Sequence, residues 1–160
     1  MKEKFLITVV LGLFITGVAP IVLCAQSATT MDTILEQEDL SFGAASYLLL
    51  VARGDLKDNA DFGEAAEKMA EVQPYFSDKD AGDTLNLGEY SFLLMKMYNL
   101  GGGLMYSVLP GPRYAVRELA FIDIVQGGTY PKSPLSGERA VRILERYLTV
   151  SGKSTPGGEI

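Results

Sequence analysis

The chain has 160 residues and a net charge of -6, and it contains no histidine. Its one cysteine is Cys24, so the residues that follow offer no disulfide, no thiol nucleophile and no thiolate metal site. The commonest general base and zinc ligand are therefore missing, together with every Ser-His or Cys-His catalytic pair. This composition favours a non-catalytic protein without a metal or cofactor. The acidic balance also argues against nucleic-acid binding, which depends on neutralising phosphates.

The N-terminus has the layout of an export signal. Lys2 and Lys4 precede an apolar run over residues 5–23, and a basic start followed by an apolar stretch is typical of secretion. Cleavage after Ala25 would release a soluble exported protein. Two alternatives stay open: a lipid attached to the thiol of Cys24, or retention of the segment as a membrane anchor, because about 19 apolar residues nearly span a bilayer.

Charge divides the rest of the chain into two halves. Residues 26–83 contain 13 Asp and Glu against 4 Lys and Arg, whereas residues 84–160 contain 6 against 8. The second half is therefore the one able to meet an anionic partner. With residues 1–25 assigned to the signal, residues 26–150 suffice for one helical domain, and residues 151–160 are predicted to form a disordered tail.

Similar sequences recur three times along the domain. LSFGAASYLL starts at Leu40, LNLGEYSFLL starts at Leu85, 45 residues later, and LSGERAVRIL starts at Leu135, 50 residues after that. Apolar residues follow at helical spacing, so each sequence predicts a helix. Good N-cap residues stand at the three starts, namely Ser41, Asn86 and Ser136.

A second, shorter helix is predicted before each of the last two. EAAEKMAEV from Glu64 matches YAVRELAFI from Tyr114 at an offset of 50, and Pro112 suits the first turn of the latter, where no N–H is needed. Neither helix of such a pair buries its apolar stripe alone, so we predict an all-α bundle of tandem helix-loop-helix repeats. The repeats span approximately residues 31–56, 62–100 and 112–150. The aromatic residues predicted to lie in or near its core are Tyr47, Tyr90, Phe92, Tyr98 and Tyr147.

The third repeat, RYAVRELAFIDIVQGGTYPKSPLSGERAVRILERYL, resembles the S-layer homology motif of bacterial surface proteins. The shared features are a helix of small and apolar residues, a glycine loop, a proline-led start signal and a second helix that contains Ile-Leu. Similarity to that family implies a compact bundle with pseudo-threefold symmetry that attaches proteins to cell-wall glycan. The segments EYSFLLMKMYNL and LPGPRYAVRELAF also resemble small exported envelope proteins of spirochaetes.

All three copies depart from the family at the residue that contacts glycan. In the family's Thr-Arg-Ala-Glu core, the resemblance implies that the arginine binds the anionic glycan. Here the arginine position holds Phe42, Leu87 and Gly137, and the glutamate position holds Ala44, Glu89 and Arg139. The helix-start signal is retained while the ligand arginine is absent, which supports the fold more than the glycan-binding activity.

Five arginines of the third repeat form the candidate site for an anionic partner. Arg139, Arg142 and Arg146 share one helix face, and Arg113 and Arg117 share a face of the preceding helix. If these two helices pair, the five guanidinium groups converge on a patch that could hold carboxylates or phosphate through bidentate contacts. The alternative is a solvated face on which they pair with Glu118, Glu138 and Glu145.

An apolar connection links the second and third repeats. Glycines 101–103 lack the lysine of a phosphate-binding loop and predict a flexible link. The apolar residues that follow either close the core or offer a docking patch for another protein. They are Leu104, Met105, Tyr106, Val108 and Leu109.

Two acidic features have alternative interpretations. Glu89 is predicted to cap its own helix together with Asn86, the alternative being a catalytic carboxylate. Asp78, Asp80 and Asp83 suggest calcium, but the spacing and the closing Glu of an EF-hand loop are missing. We therefore predict no metal site.

These observations lead to three hypotheses on function. The first is an exported, non-catalytic structural or adaptor protein that docks onto another periplasmic or surface protein of a bacterium. The second is anchoring to cell-wall glycan, with the arginines of the third repeat replacing those that are absent. The third is an enzyme acting on envelope glycan, which needs Glu89 and a second acid facing each other across a cleft. Membrane contact is expected only through the N-terminal segment or a lipid on Cys24.

Overall fold

The structure, a computed structural model, describes residues 28–152. The export signal predicted for residues 1–25, with Cys24, and residues 153–160 of the predicted tail lie outside the described residues. Between residues 28 and 152 the chain forms helices and no β-strand, which confirms the predicted all-α class. No helix in this part of the chain is both long and apolar enough to span a membrane.

The helices are numbered here in chain order. Residues 28–35 are helical and are called α1. The others are α2 (Phe42–Arg53), α3 (Phe62–Val72), α4 (Leu87–Met97), α5 (Leu104–Val108), α6 (Pro112–Phe121) and α7 (Gly137–Val150). A 3-10 helix, Pro74–Phe76, follows α3. The helices predicted within residues 28–152 are all present, whereas α5 and the 3-10 helix occupy segments that were expected to be loops.

Side-chain caps determine where the long helices begin. Ser41, Asn86 and Ser136 each accept a hydrogen bond from the backbone N–H three residues later, as predicted. Asn86 and Glu89 form a full capping box, because the Glu89 carboxylate accepts the backbone N–H of Asn86 at 3.1 Å. Asp61 caps α3 in the same way but was not predicted.

The segments that lead into α2, α4 and α7 are joined to one another through their main chains. The N–H of Leu40 donates to the carbonyl of Leu135 at 2.7 Å, and the N–H of Leu85 donates to the carbonyl of Leu40 at 2.8 Å. The first helical N–H groups have no acceptor within their own helices. Each of them donates to the lead-in of another helix: Phe42 to Asp83, Leu87 to Ser133 and Gly137 to Gln37.

The core lies around α2 and α4. Every residue of α2 from position 42 to position 50 is buried, and α4 is buried except at Glu89 and Lys96. Such all-round apolar helices belong inside a protein. α3 packs on α2, and α6 packs on α4, through small side chains such as Ala65 and Ala115. α7 is buried on one side only, so its arginines lie outside the core.

The predicted core aromatic residues are confirmed. Tyr47, Tyr90, Phe92 and Tyr147 are buried, and Tyr98 is half-buried. The rings of Tyr98 and Tyr147 lie 4.5 Å apart between centroids. Removal from water, together with the neighbouring Tyr147, raises the pKa of Tyr98 to about 12.

Gly137→Ala is expected to destabilise the fold. A Cβ at this position would overlap the carbonyl oxygen of Ile34, so α1 would have to move. We expect the free energy of unfolding to fall by roughly 2 kcal/mol, measured by urea denaturation with circular dichroism. Gly82→Ala is the matched control, because nothing lies within 4 Å of its Cβ. An equal loss in both variants would contradict the close approach of α1 and α7.

Stability is expected to fall between about pH 10 and about pH 12. The pKa of Tyr98 is raised from 10.0 to about 12, so the unfolded chain loses this proton first. The stabilising contribution is therefore complete below pH 10 and is lost as the pH rises through the folded value. Tyr98→Phe should make the urea midpoint less sensitive to pH in this window. Tyr130→Phe, at an exposed position, should leave the pH profile unchanged, and identical profiles for all three proteins would refute the assignment to Tyr98.

Candidate functional site

α5 is a short helix in the apolar connection between the second and third repeats. Glycines 101–103 precede it, and Pro110 and Pro112 follow, so the chain turns freely before it and cannot continue it afterwards. The side chain of Tyr106 is 7% exposed, and its ring lies 6.3 Å from that of Phe92 in α4. Burial raises the pKa of Tyr106. Tyr106 therefore fixes α5 to the core.

The other four apolar side chains of this segment are exposed to solvent. Their exposed fractions are 79% for Leu104, 58% for Met105, 66% for Val108 and 60% for Leu109. Closure of the core, one of the two interpretations of this segment, thus holds for Tyr106 alone. Neighbouring exposed side chains of this size are uncommon on monomeric proteins and mark sites of interaction.

An exposed tyrosine is connected to α5 through the ring of Phe92. Tyr75 is 62% exposed, and its ring meets Phe92 edge-on with the centroids 4.9 Å apart. Phe92 contacts Tyr106 in turn, and the Nζ atom of Lys96 lies 5.4 Å from the centroid of Phe92. We call the following residues the α5 surface: Tyr75, Leu104, Met105, Val108 and Leu109.

The outer side of α7 forms one wall of an open cleft. Arg139, Arg142 and Arg146 line it and face the loop that follows α6. The part next to Arg142 and Arg146 encloses about 410 Å³. Two carboxylates share this part of the cleft, those of Asp123 and Glu145. The cleft therefore carries charges of both signs.

Two of the three cleft arginines already have partners. The guanidinium of Arg139 donates to two carbonyl oxygens of the loop, that of Gln126 at 3.1 Å and that of Gly128 at 2.5 Å. Arg142 forms an ion pair with Glu138 on its own helix. An exposed ion pair of this kind contributes little to stability. Because its hydrogen bonds go to the loop carbonyls, Arg139 holds the loop beside α7.

Arg113 and Arg117 lie outside the cleft. α6, which carries them, packs on α4. The predicted convergence required α6 to pair with α7, so this prediction is wrong. Arg146 is the cleft arginine that makes no ion pair or hydrogen bond with residues 28–152.

The acidic candidates have structural roles. The carboxylate of Glu89 accepts the N–H of Asn86 and also pairs with the Nζ of Lys79 at 3.1 Å. Asp83 accepts the backbone N–H of Asp80 at 2.9 Å. Glu89 is therefore engaged as the predicted helix cap. Among the described residues, no three side chains of the His, Cys, Asp and Glu types gather to hold a metal ion.

The positions that carry the ligand arginine in the S-layer homology motif lie inside this protein. Phe42 and Leu87 are fully buried, and Gly137 is pressed against the main chain of α1. A guanidinium at these places would lose its hydration without compensation. Glycan binding in the manner implied by the resemblance has no side chain here to carry it.

Two exposed apolar residues at the end of α6 were not predicted. Phe121 is 88% exposed and Ile122 is 46% exposed, whereas Ile124 and Val125 are buried. α6 ends at Phe121, and the backbone of Asp123 has a left-handed φ of 60°. α6 ends within residues 119–125. Helical periodicity therefore does not distinguish the exposed pair, Phe121 and Ile122, from the buried pair, Ile124 and Val125.

No protein-family model matches the chain, and neither a curated protein nor a solved structure matches it. The surfaces described above are therefore the basis for assigning a function. They are the α5 surface and the arginine cleft.

Arg139→Ala is expected to loosen the loop beside the cleft. Loss of roughly 1.5 kcal/mol of hydrogen bonding to the carbonyls should speed hydrogen exchange over residues 126–130 by about tenfold. Arg142→Ala is the matched control, since this side chain pairs with Glu138 on its own helix and makes no hydrogen bond to the loop within residues 28–152. Equal acceleration in the two variants would show that Arg139 does not hold the loop.

Proposed function

We propose that this protein is an exported, non-catalytic structural or adaptor module of the bacterial envelope that docks onto another envelope protein through the α5 surface. The observation that carries the proposal is the exposure of four aliphatic side chains on a segment that Tyr106 fixes to the core. Because the segment is already ordered, a partner meets these side chains without the entropy cost of folding a loop.

The size of the α5 surface supports a specific but reversible complex. Removing one Leu, Val or Met side chain from water contributes about 1.5–3 kcal/mol, so four contribute on the order of 6–12 kcal/mol. Association itself costs about 4–15 kcal/mol in lost freedom of motion. The aliphatic residues alone therefore roughly balance this cost. Tyr75 supplies further contact area of a type that is enriched at protein interfaces.

Charged groups at the edge of the α5 surface favour a protein partner. A Cβ on Gly103 would lie 3.0 Å from the Oε1 of Glu118, so this carboxylate borders the start of α5. The ammonium group of Lys96 lies above the ring of Phe92, which also contacts Tyr75. An apolar centre bordered by groups of both signs is the usual arrangement of a protein–protein interface.

The proposal includes a pseudo-threefold architecture similar to that of S-layer homology domains. A buried leucine and a capping residue precede α2, α4 and α7 alike. The first N–H of α2 donates to the lead-in of α4, that of α4 to the lead-in of α7, and that of α7 to the lead-in of α2. This cyclic order supports three equivalent units around a common axis.

The envelope location rests on the N-terminal sequence. Lys2 and Lys4, followed by the apolar run over residues 5–23, support export. In each of the three forms considered, soluble, lipidated at Cys24 or anchored, the helical domain lies outside the cytoplasm. An envelope protein is accessible to it there.

Anchoring to cell-wall glycan is the second candidate, and Arg146 favours it. Its guanidinium lines the cleft and has no partner among residues 28–152. Against this candidate, Arg139 is engaged by the loop and Arg142 by Glu138. Docking through the α5 surface is therefore the first candidate.

Leu104→Asp is expected to weaken partner binding by at least about tenfold, because a buried carboxylate loses hydration without gaining a counter-charge. The partner is first captured from a solubilised envelope extract and identified by mass spectrometry, and its affinity is then measured with both proteins purified. Binding should depend little on salt, since apolar contacts are not screened. Tyr130→Asp is the matched control, at a position 65% exposed and outside the α5 surface.

Isolated peptidoglycan sacculi separate the two candidates. Glycan anchoring requires retention on sacculi that falls with salt and disappears when Arg139, Arg142 and Arg146 are replaced by alanine. Docking requires no retention on sacculi, together with a purified partner that binds the unmodified chain and the Tyr130→Asp variant alike. Salt-sensitive retention that survives Leu104→Asp would replace the docking proposal with glycan anchoring.

A further inference from the structure

A second apolar surface surrounds the end of α6. Phe121, the last residue of α6, is 88% exposed, the largest value for a large apolar side chain among residues 28–152. The next residue, Ile122, lines the same cleft as Val150, Arg142 and Arg146. We call the following residues the Phe121 surface: Arg117, Phe121, Ile122, Arg142, Arg146 and Val150.

The arginines of this surface flank its apolar residues. Arg117 precedes Phe121 by four residues on α6, so the two side chains share a helix face, and both are exposed. Neither Arg117 nor Arg146 makes an ion pair or a hydrogen bond within residues 28–152. Their charges are therefore available to an external anion. Of the two carboxylates in the cleft, that of Asp123 accepts a hydrogen bond from Gln126 at 3.0 Å.

We propose that the Phe121 surface binds the surface of a bilayer that contains anionic phospholipid. Phe121, Ile122 and Val150 enter the boundary between head groups and acyl chains, and the arginines contact the lipid phosphates. Apolar side chains flanked by arginines are typical of proteins that lie on membranes. The guanidinium group suits phosphate because it donates two parallel hydrogen bonds, while its apolar stem lies along neighbouring hydrophobic groups.

The shape and charge of the surface favour a bilayer over a protein groove. The fluid interior of a bilayer can bury a side chain as exposed as Phe121, because it needs no pocket of matching shape. Residues 26–83, with 13 acidic against 4 basic side chains, are repelled by an anionic membrane. The arginines are attracted to such a membrane, so the Phe121 surface is the part of the domain that meets the lipid.

This inference goes beyond the proposed function and uses a different surface. From the sequence, membrane contact is expected only through the N-terminal segment or a lipid on Cys24. Contact through Phe121 adds a second, weaker attachment by the folded domain, and two attachments on one chain reinforce each other. The α5 surface stays available for a protein partner.

A tryptophan reporter tests the proposal in the full chain. The chain contains no tryptophan, so Phe121→Trp introduces a single local probe. Vesicles of equal parts phosphatidylglycerol and phosphatidylcholine should shift its emission to shorter wavelength, and brominated acyl chains should quench it. Phosphatidylcholine vesicles should cause neither effect. Because the probe is local, insertion of the N-terminal segment elsewhere in the chain does not reproduce this signal.

Two further variants make the result decisive. Leu104→Trp, at a position 79% exposed on the α5 surface, is the matched control and should not respond to vesicles. Arg117→Glu with Arg146→Glu, added to Phe121→Trp, should weaken vesicle affinity by about tenfold or more, because attractions become repulsions. An unchanged circular dichroism spectrum shows that this variant is folded. Emission that ignores anionic vesicles, responds equally to phosphatidylcholine, or shifts as strongly in Leu104→Trp overturns the proposal.

Discussion

The first N–H groups of α2, α4 and α7 cannot be satisfied inside their own helices, and their partners determine the rest of the architecture. Each group donates to the segment that leads into another of the three helices, as Phe42 does to Asp83 and Leu87 to Ser133. These bonds lie beside fully or nearly fully buried side chains such as Leu40 and Leu85. Water does not readily replace a buried main-chain partner. The three helix starts are therefore held together, and their apolar residues meet in one core.

This arrangement decides which parts of the chain can interact with other molecules. Because α2 and α4 are enclosed, the outward apolar and basic residues are those of α5, α6, α7 and their connections. The two proposed surfaces both lie mainly in the second half of the chain. Glu118 and Lys96 border the α5 surface, whereas the Phe121 surface carries Arg117 and Arg146, which make no ion pair within residues 28–152. We propose a protein partner for the first surface and an anionic membrane for the second.

Predictions that depended on residues close together in the sequence were confirmed. The caps at Ser41, Asn86 and Ser136 depend on a residue three positions away, and all three form. Arg139, Arg142 and Arg146 share a cleft wall because helical periodicity places them on one face. Predictions that depended on the pairing of helices failed. The expected convergence of five arginines needed α6 beside α7, but the buried side of α6 fits α4.

The amino-acid sequence by itself determined the all-α class, the starts of the long helices and the burial of their aromatic residues, because these follow from spacings of three or four residues. Only the tertiary structure decided that Leu104 is exposed while Tyr106 is buried, and that Phe121 is exposed while Ile124 is buried. A helix as short as α5 is not stable alone. Its conformation depends on the contact with Phe92. In both segments, residues 104–109 and 119–125, the burial of a side chain depends on its contacts with parts of the chain that are distant in the sequence.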